Sequence, residues 1–375
     1  MPGQMTTSIL FYLAAGLTAL GGPYAEIGIN GYLDSITWRH VDPLTPGAVL
    51  NPIFRGWATE TIEYTPSDQT WSGPWNDPAK ALGPVTGSNF DIVSLGELTQ
   101  QEILQGAPPG YITLAFGDPH DQNDEAVIRN GAGYDFAIFE NGMISQVTTA
   151  AGSLKGKLLA ELAYVEVSSN GQDFVRFPAV SLTPGRAGSY GTIEMSNVHN
   201  LAGKHPNGYG VCLGTAFDLD ELADHPDVVS GKVDLHAVRY VRLVDVPGSG
   251  DFIDDAVQCI EPGTGPQWHN YAENHPIYDQ WPTWGSGGFD LEAVGVLHEQ
   301  QHSADINLDG MVDGCDLSSW AGGWLSEFGD ENWNSRCDLA GPRSRIDGRD
   351  FAVFAAQWRR VERWRAEFMD ERANK

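Results

Sequence analysis

The chain has 375 residues, 50 of them acidic and 22 Lys or Arg, so its formal charge is 22 − 50 = −28. That balance excludes a nucleic-acid binder, whose affinity rests on Lys and Arg neutralising phosphate, and it disfavours anionic membrane surfaces for the same reason. With 41% hydrophobic residues, 44 Gly and 22 Pro, the length predicts two or three domains with sizeable cores and many turns, in a mainly β protein.

Residues 9–20 (ILFYLAAGLTAL) form an apolar run of twelve, too short to span a bilayer and the size of a secretory signal core. Ala19 and Gly21 supply small residues at a cleavage site, so residues 1–25 read as a signal peptide and the protein as extracellular or cell-surface. No Lys or Arg precedes Arg39, which leaves the usual positive n-region missing. An apolar N-terminal strand of the mature domain is the competing reading. No later segment is apolar for long enough to cross a membrane.

From residue 27 to 298 the pattern alternates apolar and polar residues, as half-buried strands do. Strands are predicted at 111–116 (YITLAF), 134–139 (YDFAIF), 162–168 (LAYVEVS), 238–244 (VRYVRLV) and 289–297 (FDLEAVGVL). Asn170-Gly171 between 162–168 and 174–177 predicts a hairpin, because both residues tolerate positive φ. Helices are scarce, with short candidates at 100–105 and 219–223. This inventory predicts a β-sandwich with long loops, since no strand–helix alternation is visible.

Within this region, 165–174 (VEVSSNGQDF) resembles the hairpin of discoidin-like, galactose-binding-like jelly rolls. Residues 237–243 and 289–296 are similar to later strands of those domains, and 77–84 (DPAKALGP) and 93–96 (VSLG) to their beginning in bacterial cell-surface proteins. The resemblance is scattered over about 270 residues and implies a jelly-roll fold, not a ligand, since one sandwich hosts many functions.

Three sets of side chains in the sandwich invite a functional reading. The acidic loop 117–125 (GDPHDQNDE) brings Asp118, Asp121 and Asp124 together as oxygen ligands for a hard cation, or is simply a solvated turn. Asp290 lies in the last strand, where the resemblance implies a structural Ca²⁺ ligand; a carboxylate bonded to a loop amide is the plainer reading. The polar loop 200–210 offers Lys204, His205 and Tyr209 to a glycan, with Trp281 and Trp284, near Trp268, His269 and Tyr271, as stacking surfaces. The same aromatics would equally pin long loops to the sandwich. Asp135 and Glu140 flank one strand, but five residues apart they face opposite sides, which argues against an acid/base pair. No Gly-x-Ser-x-Gly, His-Glu-x-x-His or Walker sequence occurs, so the common hydrolase and nucleotide chemistries lack their motifs.

Beyond a linker at 299–304, residues 305–316 (DINLDGMVDGCD) place Asp305, Asn307, Asp309, Asp313 and Asp316 at positions 1, 3, 5, 9 and 12 of an EF-hand-like loop. Gly310 stands at the sharp turn and the Met311 carbonyl at position 7. Leu317, Trp320, Ala321, Trp324, Leu325 and Phe328 then form an apolar stripe of helical period. The half-motif recurs 34 positions later: Val312, Asp313, Asp316, Leu317, Ala321 and Trp324 align with Ile346, Asp347, Asp350, Phe351, Ala355 and Trp358. This duplicated loop–helix resembles the dockerin family, which implies a small α-helical Ca²⁺ module over 305–375 and a cohesin-like or envelope protein partner. Dockerins commonly meet cohesins through loop positions 10 and 11, here Gly314-Cys315 and Gly348-Arg349. The second loop replaces three oxygen ligands with Leu339, Gly341 and Arg343, which predicts a single bound Ca²⁺ and a pairing of Asp347 and Asp350 with Arg343 or Arg345. The tail from Arg359 is expected to prolong the second helix.

Four cysteines occur without a C-x-x-C pair, so zinc ribbons and thioredoxin-like sites are out. In an exported protein, Cys315–Cys337 and Cys212–Cys259 are the expected bridges, with four buried free thiols as the alternative. The reading these features favour is a secreted or cell-surface, non-catalytic protein that recognises a carbohydrate or envelope polymer and carries a Ca²⁺-binding attachment module. A polysaccharide-degrading hydrolase or lyase bearing a dockerin is the alternative, and a purely structural envelope protein the third.

Overall fold

The computed structural model describes residues 22–67, 74–117, 126–146, 148–149, 152–153, 156–255, 274–283, 287–300, 302–307, 309–327, 329–340, 345–362 and 365. The expected signal peptide therefore lies outside the described residues, apart from its last few positions. The chain is mainly β. Its principal strands are β1 (Ile29–Asn30), β2 (Gly56–Trp57), β3 (Glu60–Thr65), β4 (Val93–Ser94), β5 (Tyr111–Ala115) and β6 (Phe136–Glu140). The second half adds β7 (Leu162–Ser168), β8 (Val175–Arg176), β9 (Leu201–Ala202), β10 (Leu213–Phe217), β11 (Tyr240–Val246) and β12 (Asp290–Val296).

They form two six-stranded antiparallel sheets. One runs β1-β10-β6-β12-β2 with β4 also on β12; the other runs β8-β7-β11-β5-β3 with β9 also on β7. Leu114, Val165, Val241 and Leu243 of one sheet and Phe136, Ile138, Phe217, Leu291 and Val294 of the other share a single core. Both sheets are also covered on their outer faces. Phe54, Val85 and Cys212 pack on Ala137, Phe139 and Ala293, while Ile193, Val198 and Ile277 pack on Leu162 and Tyr164. That double burial leaves β12 buried at all seven positions, including Asp290 and Glu292.

The five predicted strands are present to within about two residues, as are a helix α1 at Gln100–Leu104 and a 3₁₀ turn at Leu219–Leu222. Thr99 and Glu102 form a capping box at the start of α1. The predicted hairpin exists, with Val167 opposite Val175, but its connection is longer than a two-residue turn. Only Gly171 takes positive φ, at 75°, and Asn170 acts through its side chain, whose Oδ1 accepts the Gln172 and Asp173 N–H groups. A short helix α2 (Pro226–Val229) precedes β11.

The C-terminal region folds as two copies of one loop–helix. Helices α3 (Gly314–Gly322) and α4 (Gly348–Gln357) are capped by Asp313 and Asp347, at φ/ψ of −140°/−159° and −138°/−163°, and each has a reciprocal Asp at N3. The copies pair across a pseudo-twofold axis. Leu325 N–H donates to Ile346 O and Arg359 N–H to Val312 O, both at 2.9 Å; Ile346 N–H donates to Ser326 O and Val312 N–H to Arg360 O, both at 3.0 Å. Adding or subtracting 34 maps each pair onto the other. Trp320 and Phe354 occupy equivalent places in the small core, with Ile306, Val312 and Ile346. The tail does not prolong α4: the helix ends at Gln357 and Arg359 turns left-handed at φ 68°.

The expected linker is tied down at both ends. Glu299–Gln300 pair with Val127–Ile128. Gln300 accepts from the buried Arg129 guanidinium and donates Nε2–H to Asp305 O at 2.9 Å, while Arg336 donates to Asn130 O. Burial, with the nearby Arg336 charge, lowers Arg129 to about 10.

Candidate functional site

The first loop of the C-terminal module is organised by its own carboxylates. Asp305 accepts the Asp309 and Gly310 N–H groups at 3.1 and 2.8 Å, and Gly310 takes φ 88° at the turn. Asn307 Oδ1 accepts from Asp309 N–H, and Asp309 Oδ1 from Met311 N–H. Asp316 is buried and accepts from Ile306, Asn307 and Asp313 N–H, while Asp313 caps α3. Burial raises Asp305 to about 7, and the charges of Asp316 and Asp309 push in the same direction. These residues fit a hard cation: four carboxylates and an amide oxygen on a twelve-residue loop, each carboxylate keeping lone pairs beyond those its N–H partners use. As their side chains stand, no three His, Cys, Asp or Glu among the described residues are placed to hold a metal ion. At the rim, Arg365 donates to Asp309 O.

The second loop reproduces the scaffold without the ligands. Asp350 accepts Ala340 and Asp347 N–H at 2.8 and 2.7 Å, at the positions matching Ile306 and Asp313. The expected partner of Asp347 is corrected. Arg349, two residues on, bonds to it at 3.2 Å and is the main group that lowers its carboxyl. The charge of Arg345, which lies 3.9 Å from Glu327, adds to this, and Arg343 falls outside the described residues.

The Cys315–Cys337 bridge is also corrected. Both are free thiols. Cys315 is exposed on the first turn of α3, whereas Cys337 is buried in the module core with Ile306, Val312 and Trp320, its thiol 3.7 Å from Ser319 O. One side chain points out and the other in, and burial raises Cys337 to about 11. Cys212 is a free thiol buried beside Phe139, and Cys259 lies outside the described residues.

The proposed glycan-contacting residues are dispersed. Lys204 and His205 line a cleft of about 320 Å³ with Glu26, Tyr134, His199 and Glu221, but both are buried. Lys204 pairs with Glu26, and His205 Nε2 lies 2.9 Å from Glu26 O. Tyr209 is 75% exposed and is not part of that lining. Trp281 is buried with its indole N–H on Leu98 O, pinning a loop rather than presenting a stacking face. Trp284, Asp118, Asp121 and Asp124 lie outside the described residues.

His199 is the centre of the cleft. Its Nδ1 is 2.7 Å from Glu26 and its Nε2 3.0 Å from Glu221, and its ring stacks on Tyr24 at 4.7 Å. Burial opposes its charge, but the two carboxylates outweigh it and raise His199 to about 9. Burial likewise works against ionised Glu26, yet His199 and Lys204 lower it to about 2. Glu26, His199, Glu221 and Lys204 are paired with one another, while burial and the Lys204 charge lower His205 to about 4.

Asp135 and Glu140 sit at opposite ends of β6, and Asp135 is consumed in structure, accepting Gly131 and Leu219 N–H and meeting His298 Nδ1 at 2.7 Å. Glu140 belongs instead with the buried carboxylates of Glu161, Asp245, Asp279 and Asp290; of these, sequence reasoning singled out only Glu140 and Asp290, and not as one group. Each is a lone acid at the edge of an apolar strand or in a loop, so no local motif marks the group. An acid beside an otherwise apolar strand, as in Glu161 before β7 and Asp245 within β11, was the available signal. Burial raises all five, Asp290 to about 7.

In comparisons with known proteins, no family model, no curated protein and no solved structure matches this chain. No helix among the described residues is long and apolar enough to cross a membrane.

Proposed function

We propose that the protein is a non-catalytic, extracellular or cell-surface binding protein, in which a galactose-binding-like jelly roll recognises a carbohydrate or envelope polymer and a dockerin-like module attaches it to a partner. The observation that carries this reading is the two-copy module, with a cation loop in the first copy and an exposed apolar seam formed by both. Trp324, Leu325, Phe351 and Trp358 are each between 41% and 48% exposed, and isolated apolar patches of this kind mark protein contacts. Asp305, Asn307, Asp309, Asp313 and Asp316, with the Met311 carbonyl, would hold one Ca²⁺, which would fix the loop that leads into α3. A cohesin-like protein is the partner that the resemblance suggests. Export rests on residues 9–20.

The cleft around His199 supports binding more than catalysis, because its charges are paired with one another. The alternative, a polysaccharide-degrading enzyme, needs a carboxylic acid held protonated at a substrate. Burial raises Glu140 and Glu161 well above the usual carboxylate range, but neither lines the cleft. The test is a glycan-array screen of the full chain with and without Ca²⁺, together with an assay for new reducing ends. Binding without release of reducing ends supports the proposal. Release that is lost in Glu140→Gln would establish the enzyme instead, and a chain that neither binds nor cleaves any glycan would remove the recognition function.

A further inference from the structure

We infer that the buried carboxylates of the sandwich form a second cation site, separate from the loop of the C-terminal module, with Glu140, Glu161 and Asp290 as ligands and Ca²⁺ as the ion. The pointer is a set of orphaned oxygens. Glu140 Oε1, Asp245 Oδ2 and Asp290 Oδ1 are buried with no hydrogen-bond partner, in residues 1%, 0% and 4% exposed. Native interiors satisfy nearly all such atoms, and an orphan calls for an ion or a water.

The remaining contacts are with neutral donors, the Ser94 hydroxyl beside Asp290 among them. Gly142 N–H donates to Glu140 Oε2 at 2.8 Å, the Asn141 amide to Asp290 Oδ2 at 3.1 Å, and Gly288 N–H to Glu161 Oε1 at 3.2 Å. The charges acting on Glu140 are those of Asp290 and Asp279, and those acting on Glu161 are Asp290, Glu140, Asp279 and Glu97. Like charges thus face one another in a dry interior, where an unpaired ion is costly.

The backbone brings the three ligands together from distant parts of the chain. Glu140 ends β6 opposite Leu291 of β12, and Asn141 N–H donates to Asp290 O at 3.3 Å, so Glu140 and Asp290 leave adjacent strands. Glu161 reaches the same place from the start of β7 through Gly288, two residues before Asp290. As the side chains stand, no three acids among the described residues are placed to hold a metal ion. A cation drawing the three carboxylates inward replaces mutual repulsion by attraction, and an all-oxygen set of this charge suits Ca²⁺.

The experiment counts the Ca²⁺ ions bound by the full chain in competition with a chromophoric chelator. Asp309→Ala removes the module's loop site, and this variant is expected to retain one ion. Adding Asp290→Asn, or Glu140→Gln if circular dichroism shows the first to be misfolded, is expected to lose that ion. An Asp309→Ala protein that binds no ion, its buried carboxyls holding protons instead, overturns the proposal. So does a folded Asp309→Ala/Asp290→Asn protein that still binds one. Loss of the loop site alone touches only the module, so failures of the two readings remain distinguishable.

Discussion

Leu325 and Arg359 stand 34 positions apart, take the same left-handed backbone at φ 65° and 68°, and donate equivalent 2.9 Å hydrogen bonds to Ile346 O and Val312 O. Side chains other than Gly rarely adopt that conformation. Its repetition means that the two halves exit their helices alike and cross each other, so each half completes the other's fold. The symmetry holds although only the first loop carries the full set of oxygen side chains, which separates the carboxylates that build the scaffold from those proposed to serve an ion.

Asp350 is a scaffold carboxylate. Its two backbone hydrogen bonds tie the second loop to α4 and complete the capping box with Asp347. Asp350→Ala is expected to destabilise the module by about 0.5–2 kcal/mol, the range for losing a helix cap. Urea unfolding should give the same loss with Ca²⁺ or with chelator.

The His199 network sets a pH dependence. The folded value of about 9 lies above the ordinary 6.5, so its contribution is complete below about pH 6.5 and is lost as pH rises through 9. Glu26, lowered to about 2 from 4.5, contributes above about pH 4.5 and loses this as pH falls through 2. His199→Gln should therefore lower the unfolding midpoint at pH 6, and the gap to the unsubstituted protein should narrow toward about pH 10. A constant gap across that range would show that the imidazolium does not matter.

The strands legible in the sequence are those with one apolar face over five or more residues, such as 162–168 and 111–116. Two-residue strands such as Gly56–Trp57 and Val93–Ser94 carry no period and exist because longer neighbours pair with them. The module's loop was legible because its ligands are contiguous. The His199 cleft was not, since Glu26 and Lys204 meet across 178 positions. The cysteine pairing failed for a related reason: separation along the chain says nothing about which way Cys315 and Cys337 point.

Thiol accessibility follows from those directions. Cys315 should be alkylated by iodoacetamide in the folded protein, slowed by the Asp313 charge that raises its thiol, whereas Cys337 and Cys212 should react only on unfolding. Peptide mass spectrometry of timed samples reads this directly, and a Cys315–Cys337 cross-linked peptide in a non-reduced digest would contradict the arrangement.

The most direct test of the account is Ca²⁺ stoichiometry in two single variants of the full chain. Asp309 is a proposed ligand in the first loop, and Asp347 is its nearest acidic counterpart in a loop where Arg349 already holds the charge. Asp309→Ala should bind one ion fewer than the unsubstituted protein and lose the matching part of the Ca²⁺-induced rise in melting temperature, a gain of about 2.7 kcal/mol at a hundredfold excess over Kd. Asp347→Ala should bind as many ions as the unsubstituted protein. An unchanged count in Asp309→Ala, or an ion lost from Asp347→Ala as well, would contradict the division of labour between the two loops.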